Sequence, residues 1–203
     1  MNRSALKCYQ DLLVLAFIED NIPAGSRILD VGGGHSRVLQ HLARDYDCWL
    51  IDDFKGGGNG PLHAEKHGYK VVDGLMGQFL KDQLPDNHFD CVFSVSALEH
   101  CPPKVEVVQA VIEDLDRVTK PGGFNIHCLD YVIKRETIDQ VPIVQQFFFD
   151  RAAYPLCSPR IIWQDPDMFK LPAEIYARWK IPHAYEDVAI VDTCAFWPKG
   201  DVV

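Results

Sequence analysis

No part of this chain stays apolar for long. The longest such run, Leu12 to Ile18, has seven residues, far short of the roughly 20 that span a bilayer. Lys7 and Asp11 precede it and Glu19 and Asp20 follow, without a small-residue cleavage pattern. Neither a membrane span nor a secretory signal is expected. Basic residues are scarce: 20 Lys and Arg face 29 Asp and Glu, a net charge of −9. No dense basic run makes a local exception, so nucleic acid and anionic membrane surfaces are not expected partners. The seven cysteines form no C-x-x-C pair, and several lie inside apolar runs, where a thiol packs as a small hydrophobe. That usage points to a reducing, cytoplasmic setting. Internal repeats and low-complexity tracts are absent.

What remains is an ordinary globular composition, 47% hydrophobic and 24% charged over 203 residues. That size predicts one domain over 1–203. Apolar residues at Leu6, Tyr9, Leu13 and Phe17 predict a first helix over 4–21, stopped by Pro23 and Gly25. Short apolar runs at 27–31, 48–51, 69–72, 89–95 and 124–129 read as strands. Helical spacing over 36–45, near 62–67 and over 105–118 alternates with them. The alternation predicts an α/β fold: a Rossmann-like, mostly parallel sheet with helices on both faces. Beyond Tyr131 a helix is expected over 136–152 and irregular, proline-rich covering structure over 154–182. A last strand is expected over 185–197, antiparallel at the sheet edge. In such sheets ligands bind outside the carboxyl ends of the strands, where strand order reverses.

Gly32-Gly33-Gly34 falls between the first strand and the second helix, where backbone N–H groups can approach a ligand. A dinucleotide fingerprint would place its third glycine at position 37, which is arginine, so a nicotinamide-dependent oxidoreductase is disfavoured. A Walker loop would end in Gly-Lys-Ser/Thr, and none is present.

Four stretches in order, RILDVGGGHS, IDDF, LPDNHFDCVFSVSALEH and LDRVTKPGGF, resemble the motifs of class I S-adenosylmethionine-dependent methyltransferases. The resemblance covers roughly residues 27–130, the expected cofactor-binding core, leaving 131–203 as a substrate-side elaboration. It implies S-adenosylmethionine as cofactor, with Gly32, Gly33 and Gly34 beside its ribose and methionyl moiety. Asp30 would orient the loop or accept from the amino group. An acid ending the second strand would accept the ribose hydroxyls. The ungapped alignment places Asp53 there, and the alternation of a strand ending at Ile51 places Asp52. Asp73 matches the acid for the adenine amine, with Gly74, Leu75 or Met76 beside the ring, and the Ser94 backbone would approach the methionyl end. Ser36 stands where the family often has a third glycine, and a serine there can cap the helix.

Glu99 and His100 form the pair resembling the family's Glu-His, with His100 as a possible proton acceptor and Glu99 beside it. In ubiquinone-biosynthesis O-methyltransferases a glutamate three residues earlier joins such a pair to hold a metal. Here that position is Ser96, so no metal site is expected. Asp30 also reads as a purely loop-bracing acid and Asp52, Asp53 and Asp73 as turn residues; Asp130 and Tyr131, just after the fifth strand, read either as substrate contacts or as ordinary end-of-strand residues, and His35 as a solvated helix start. Phe147, Phe148 and Phe149 read as core packing, and Arg135, Arg151 and Arg160 as solvated charges. Gly56 to Gly60 is either a flap beside the ribose or a plain connection. The resemblance implies in-line methyl transfer to an oxygen, nitrogen or carbon of a small-molecule or sugar-like substrate, the first helix and the late segment closing over the pocket. The alternative is a cofactor-binding relative of this fold that serves as a scaffold or regulatory subunit.

Overall fold

The structure is a computed structural model that describes residues 5–57, 60–64, 68–134, 137–138, 143, 158–166 and 188–200. Helix α1 (Ala5–Asn21) leads into strand β1 (Arg27–Val31), helix α2 (Arg37–Leu42), and strands β2 (Asp47–Asp52) and β3 (Lys70–Asp73). Strand β4 (Phe89–Val95), a 3-10 turn (Leu98–His100), helix α3 (Val105–Val118) and strand β5 (Thr119–Lys134) follow. Strand β6 (Thr137–Ile138), helix α4 (Pro159–Gln164) and strand β7 (Val188–Pro198) complete the described elements. The sheet runs β3-β2-β1-β4-β5, with β1 parallel to both β2 and β4. Strand order therefore reverses at β1, and the crevice between the carboxyl ends of β1 and β4 is the expected ligand position.

Alternation along the central strands divides the core into two layers. Leu29 and Val92 face one side with Val111, Ile112 and Leu115 of α3. Ile28, Cys91 and Phe93 face the other, with Val14 and Ile18 of α1 and Val38 and Leu39 of α2. Because both faces are covered, β4 is buried at six of its seven residues, which is why FDCVFSV reads as a continuous apolar run.

The antiparallel edge is present: β7 pairs with β5 from Phe124↔Pro198 to Lys134↔Val188. Four expectations are corrected. Strand β5 is longer than 124–129, because Gly122 N donates to Lys199 O and Lys199 N to Gly123 O, so the KPGG turn joins the pairing with the end of β7. The helix expected from 136 begins instead as a strand, since Thr137 and Ile138 turn back on Lys134 and Ile133. Residues 62–64 are not helical, and 65–67 lie outside the described residues. Pro159–Gln164 inserts a helix into the stretch expected to be irregular.

Ser36 caps α2 as expected, its Oγ accepting from Leu39 N at 3.1 Å. A capping serine is worth about 1 kcal/mol, so Ser36→Ala is expected to lower the unfolding free energy in denaturant by about that amount.

Candidate functional site

A cleft of about 500 Å³ opens at the reversal point, bordered by Val31, the glycine bend, Ile51, Asp52 and the Ser96–Leu98 turn. The bend is shaped by close approach. Gly32 and Gly34 lie at φ +70° and +56°, in the left-handed region that favours glycine. A Cβ on Gly34 would sit 2.7 Å from Pro61 Cδ, and one on Gly33 would overlap the Asp30 carboxylate. Asp30 is 2% exposed beneath the bend and does not border the cleft. Burial pushes its carboxyl up to about 7, with the Ser36 hydroxyl opposing the rise. Its position fits bracing of the loop, and its Oδ1 has no hydrogen-bond partner among the described residues.

Asp52 and Asp53 both border the cleft, but they are held differently. Asp52 Oδ2 accepts from Gly34 N at 3.0 Å and Oδ1 from Phe54 N at 2.7 Å. Two backbone donors fix the plane of that carboxylate while leaving a further lone pair on each oxygen. Asp53 accepts from Lys55 N at 3.2 Å and lies 3.6 Å from Lys55 Nζ. The Asp73 side chain is exposed and does not border the cleft, whereas Gly74, Leu75 and Met76 do. Ser94 is buried, its Oγ 2.9 Å from His127 Nδ1, and it does not border the cleft.

The acids at the far end separate likewise. His100 stands exposed at the rim and borders the cleft, while the protein packed behind it lowers its imidazole pKa. Glu99 points away into the protein, where Oε1 accepts from Asp130 N at 3.4 Å and Oε2 has no partner among the described residues. Burial and then the Asp130 charge push Glu99 up to about 8. Asp130 Oδ1 is held by Gln10 Nε2 at 2.9 Å and lies 3.1 Å from Ser96 Oγ, which also donates to Gln10 Oε1 at 2.6 Å. Helix α1 is thereby tied to the ends of β4 and β5.

Two residues on the cleft, Lys7 and Pro61, were not singled out from sequence, and Arg37 was read only as an argument against a dinucleotide fingerprint. Lys7 of α1 borders the cleft, and so does Arg37, which pairs with Asp11 of α1. Pro61 closes over Gly34, and Gly56, Gly57 and Gly60 border the cleft beside it, so the described ends of that glycine-rich stretch form a wall. The Gly60-Pro61 pair marks a turn, but nothing local says that the turn folds back onto a loop 27 positions earlier. Phe147 to Phe149, Arg135 and Arg151 lie outside the described residues, and Arg160 is exposed on α4.

Comparison with known proteins bears on this geometry. The family profile described as "Methyltransferase domain" matches residues 29–126. That region carries a class I S-adenosylmethionine-dependent methyltransferase domain. A sterol 24-C-methyltransferase of Gibberella zeae is 34% identical over 107 residues, 50% of this chain and 27% of the relative. A 2-methyl-6-phytyl-1,4-hydroquinone methyltransferase of Synechocystis is 33% identical over 112 residues, 51% of this chain and 32% of the relative. A fatty-acid O-methyltransferase of Mycolicibacterium smegmatis is 25% identical over 128 residues, 63% of this chain and 43% of the relative. The chain thus spans about a quarter of the length of the sterol methyltransferases it matches. Among solved structures, a putative sarcosine dimethylglycine methyltransferase from Galdieria sulphuraria superposes with TM-score 0.57 at 10% identity, over 96% of this chain and 86% of that one. That likeness confirms the fold of the methyltransferase domain.

The raised Glu99 carboxyl gives a pH signature. Between its ordinary value of 4.5 and about 8, Glu99 is ionised in the unfolded chain but keeps its proton in the folded one. The folded state binds more protons there, so this group's contribution to stability falls as pH rises. Glu99→Gln is expected to gain on the native protein in unfolding free energy from pH 4.5 to about 8 and to level off above. A gap that does not change with pH would place the Glu99 carboxyl at its ordinary value.

Proposed function

We propose that this methyltransferase domain binds S-adenosylmethionine in the cleft over Gly32–Gly34 and transfers its methyl group to a small molecule. The observation that carries the reading is Asp52. Its carboxylate is held by two backbone donors at the carboxyl end of β2, directly beside the bend, with acceptor capacity left for a vicinal diol. The cofactor is a sulfonium with a neutral leaving group, so the protein's task is alignment and exclusion of water.

Each side chain has a part in that reading. Asp52 receives the ribose hydroxyls, and Asp53 stays a turn residue paired with Lys55. The Gly74–Met76 strip borders the adenine, Gly74 N being tied to Asp52 O at 3.2 Å. Asp73 is exposed outside the cleft lining, so in this reading the strip, and not Asp73, meets the base. Asp30 acts through the loop above it. The His100 imidazole, with its pKa lowered, is neutral near pH 7 and takes the proton of an acceptor hydroxyl or amine. Glu99 positions Asp130 from behind and does not touch the substrate.

The named relatives act on a sterol, a phytyl hydroquinone and a fatty acid, which supports an acceptor with an apolar body over a sugar. All three are methyltransferases, which supports transfer over a binding-only scaffold. Residues 27–130 then form the cofactor core and 131–203 the substrate side of one catalytic unit. The scattered cysteines and net charge of −9 support a cytoplasmic enzyme with no nucleic-acid partner. No helix among the described residues is long and apolar enough to cross a membrane.

Isothermal titration with S-adenosylhomocysteine tests the cofactor: absence of binding by folded protein rejects the reading. Asp52→Ala is expected to weaken binding by about 1.5–3 kcal/mol, roughly ten- to a hundredfold, through lost charge-assisted hydrogen bonds. Asp53→Ala is expected to change it by less than about threefold. The opposite pattern moves the ribose contact to Asp53.

A further inference from the structure

The segment joining β3 to β4 has no helix or strand of its own, yet its first residues form the cleft wall at Gly74, Leu75 and Met76. Irregular backbone in that position needs outside partners for its N–H groups. They come from α3. Asp114 is 1% exposed, on the helix face shared with Val111, Leu115 and Val118, where an apolar residue is the ordinary occupant. Its Oδ2 accepts from Gly77 N at 2.8 Å and from Phe79 N at 3.2 Å. Its Oδ1 accepts from Arg117 Nε at 2.8 Å, one helical turn on. Arg117 Nη1 in turn donates to Leu84 O at 2.7 Å and Asp86 Oδ1 at 2.6 Å. One buried ion pair therefore grips the segment at two places, 77–79 and 84–86. Two more bonds complete the wall. Gly74 N donates to Asp52 O at 3.2 Å, and Leu75 N to Gln78 Oε1 at 3.0 Å.

We infer that Asp114 is a positioning residue for the nucleobase: from behind the cleft it sets the loop 74–79 in the shape that distinguishes adenine from other bases. The inference rests on the reading that Gly74–Met76 border the adenine. A buried ion pair is a weak source of net stability compared with apolar packing of the same volume. Its use at this point is explained by what the carboxylate holds, two amides of a loop that no neighbouring strand can pair. A site whose polar groups are fixed in advance rejects a ligand with mismatched donors, and a loosened one does not. Asp114 touches no ligand, so its effect is on selectivity.

The test compares S-adenosylhomocysteine with S-inosylhomocysteine, in which a carbonyl oxygen replaces the amine of the base, by titration against the native full chain, Asp114→Asn and Gln78→Ala. Gln78 is exposed, so its replacement loosens the same loop without entering the core. Asp114→Asn is expected to weaken the adenosyl ligand roughly tenfold and the inosyl ligand far less, so that discrimination collapses. Gln78→Ala is expected to move it in the same direction by roughly threefold. Should Asp114→Asn not fold, the Gln78→Ala result decides by the same criterion. Unchanged affinities, or equal losses for both ligands, overturn the inference. A native protein that binds neither ligand overturns the cofactor reading itself, and the inference with it.

Discussion

The burial of one carboxylate beneath a backbone bend organises the cleft. Asp30 occupies the space a side chain at position 33 would need, and β1 delivers it there because Val31 and Leu29 pack into the opposite layer. With the acid underneath, Gly34 N meets the Asp52 carboxylate at the end of the neighbouring strand β2. Burial pushes the Asp30 carboxyl up to about 7, so the acid holds its proton below neutral pH, and the hydroxyl of Ser36, the residue that also caps α2, offsets part of the cost of burying it. Loop, cap and cleft are thus one construction.

A second layer of polar contacts ties the flanking elements to that construction. Helix α1 reaches it twice, through Asp11 on Arg37 and through Gln10 on Asp130 and Ser96. The cleft is therefore backed, beside Ser96 and Arg37, by residues far apart in the chain. Glu99 and Asp130 face each other behind these contacts, and their proximity adds to the burial that keeps Glu99 protonated. His100, one residue further, escapes to the rim because the turn Leu98–His100 points successive side chains in different directions.

Much of the fold was legible from local pattern. Strand β4 and helix α3 match their expected bounds because both are buried along a full face, which writes a strong periodicity into the sequence. The later elements were harder for an identifiable reason. Strand β6 has two residues, too short to carry a period, and the extension of β5 to Thr119 arises from pairing with Phe89 of β4 and from the Gly122–Gly123 bonds to Lys199, partners tens of positions away. The glycine bend and the acids around it were visible as motifs, since their spacing is local. Which of those acids faces the cleft was not, because side-chain direction at a strand end depends on neighbours supplied by other strands.

Composition, periodicity and motif order by themselves determined an acidic α/β chain with a glycine bend after its first strand and carboxylates near the ends of the next. Each of those properties is a matter of residues within a few positions of one another. Only tertiary structure decided that Asp52 is gripped by the bend while Asp30 lies beneath it, that Pro61 folds over Gly34, and that Asp114 holds the opposite wall. Those arrangements are contacts between segments tens of residues apart, and their geometry comes from how the two layers pack against the sheet, for which no local pattern is a record.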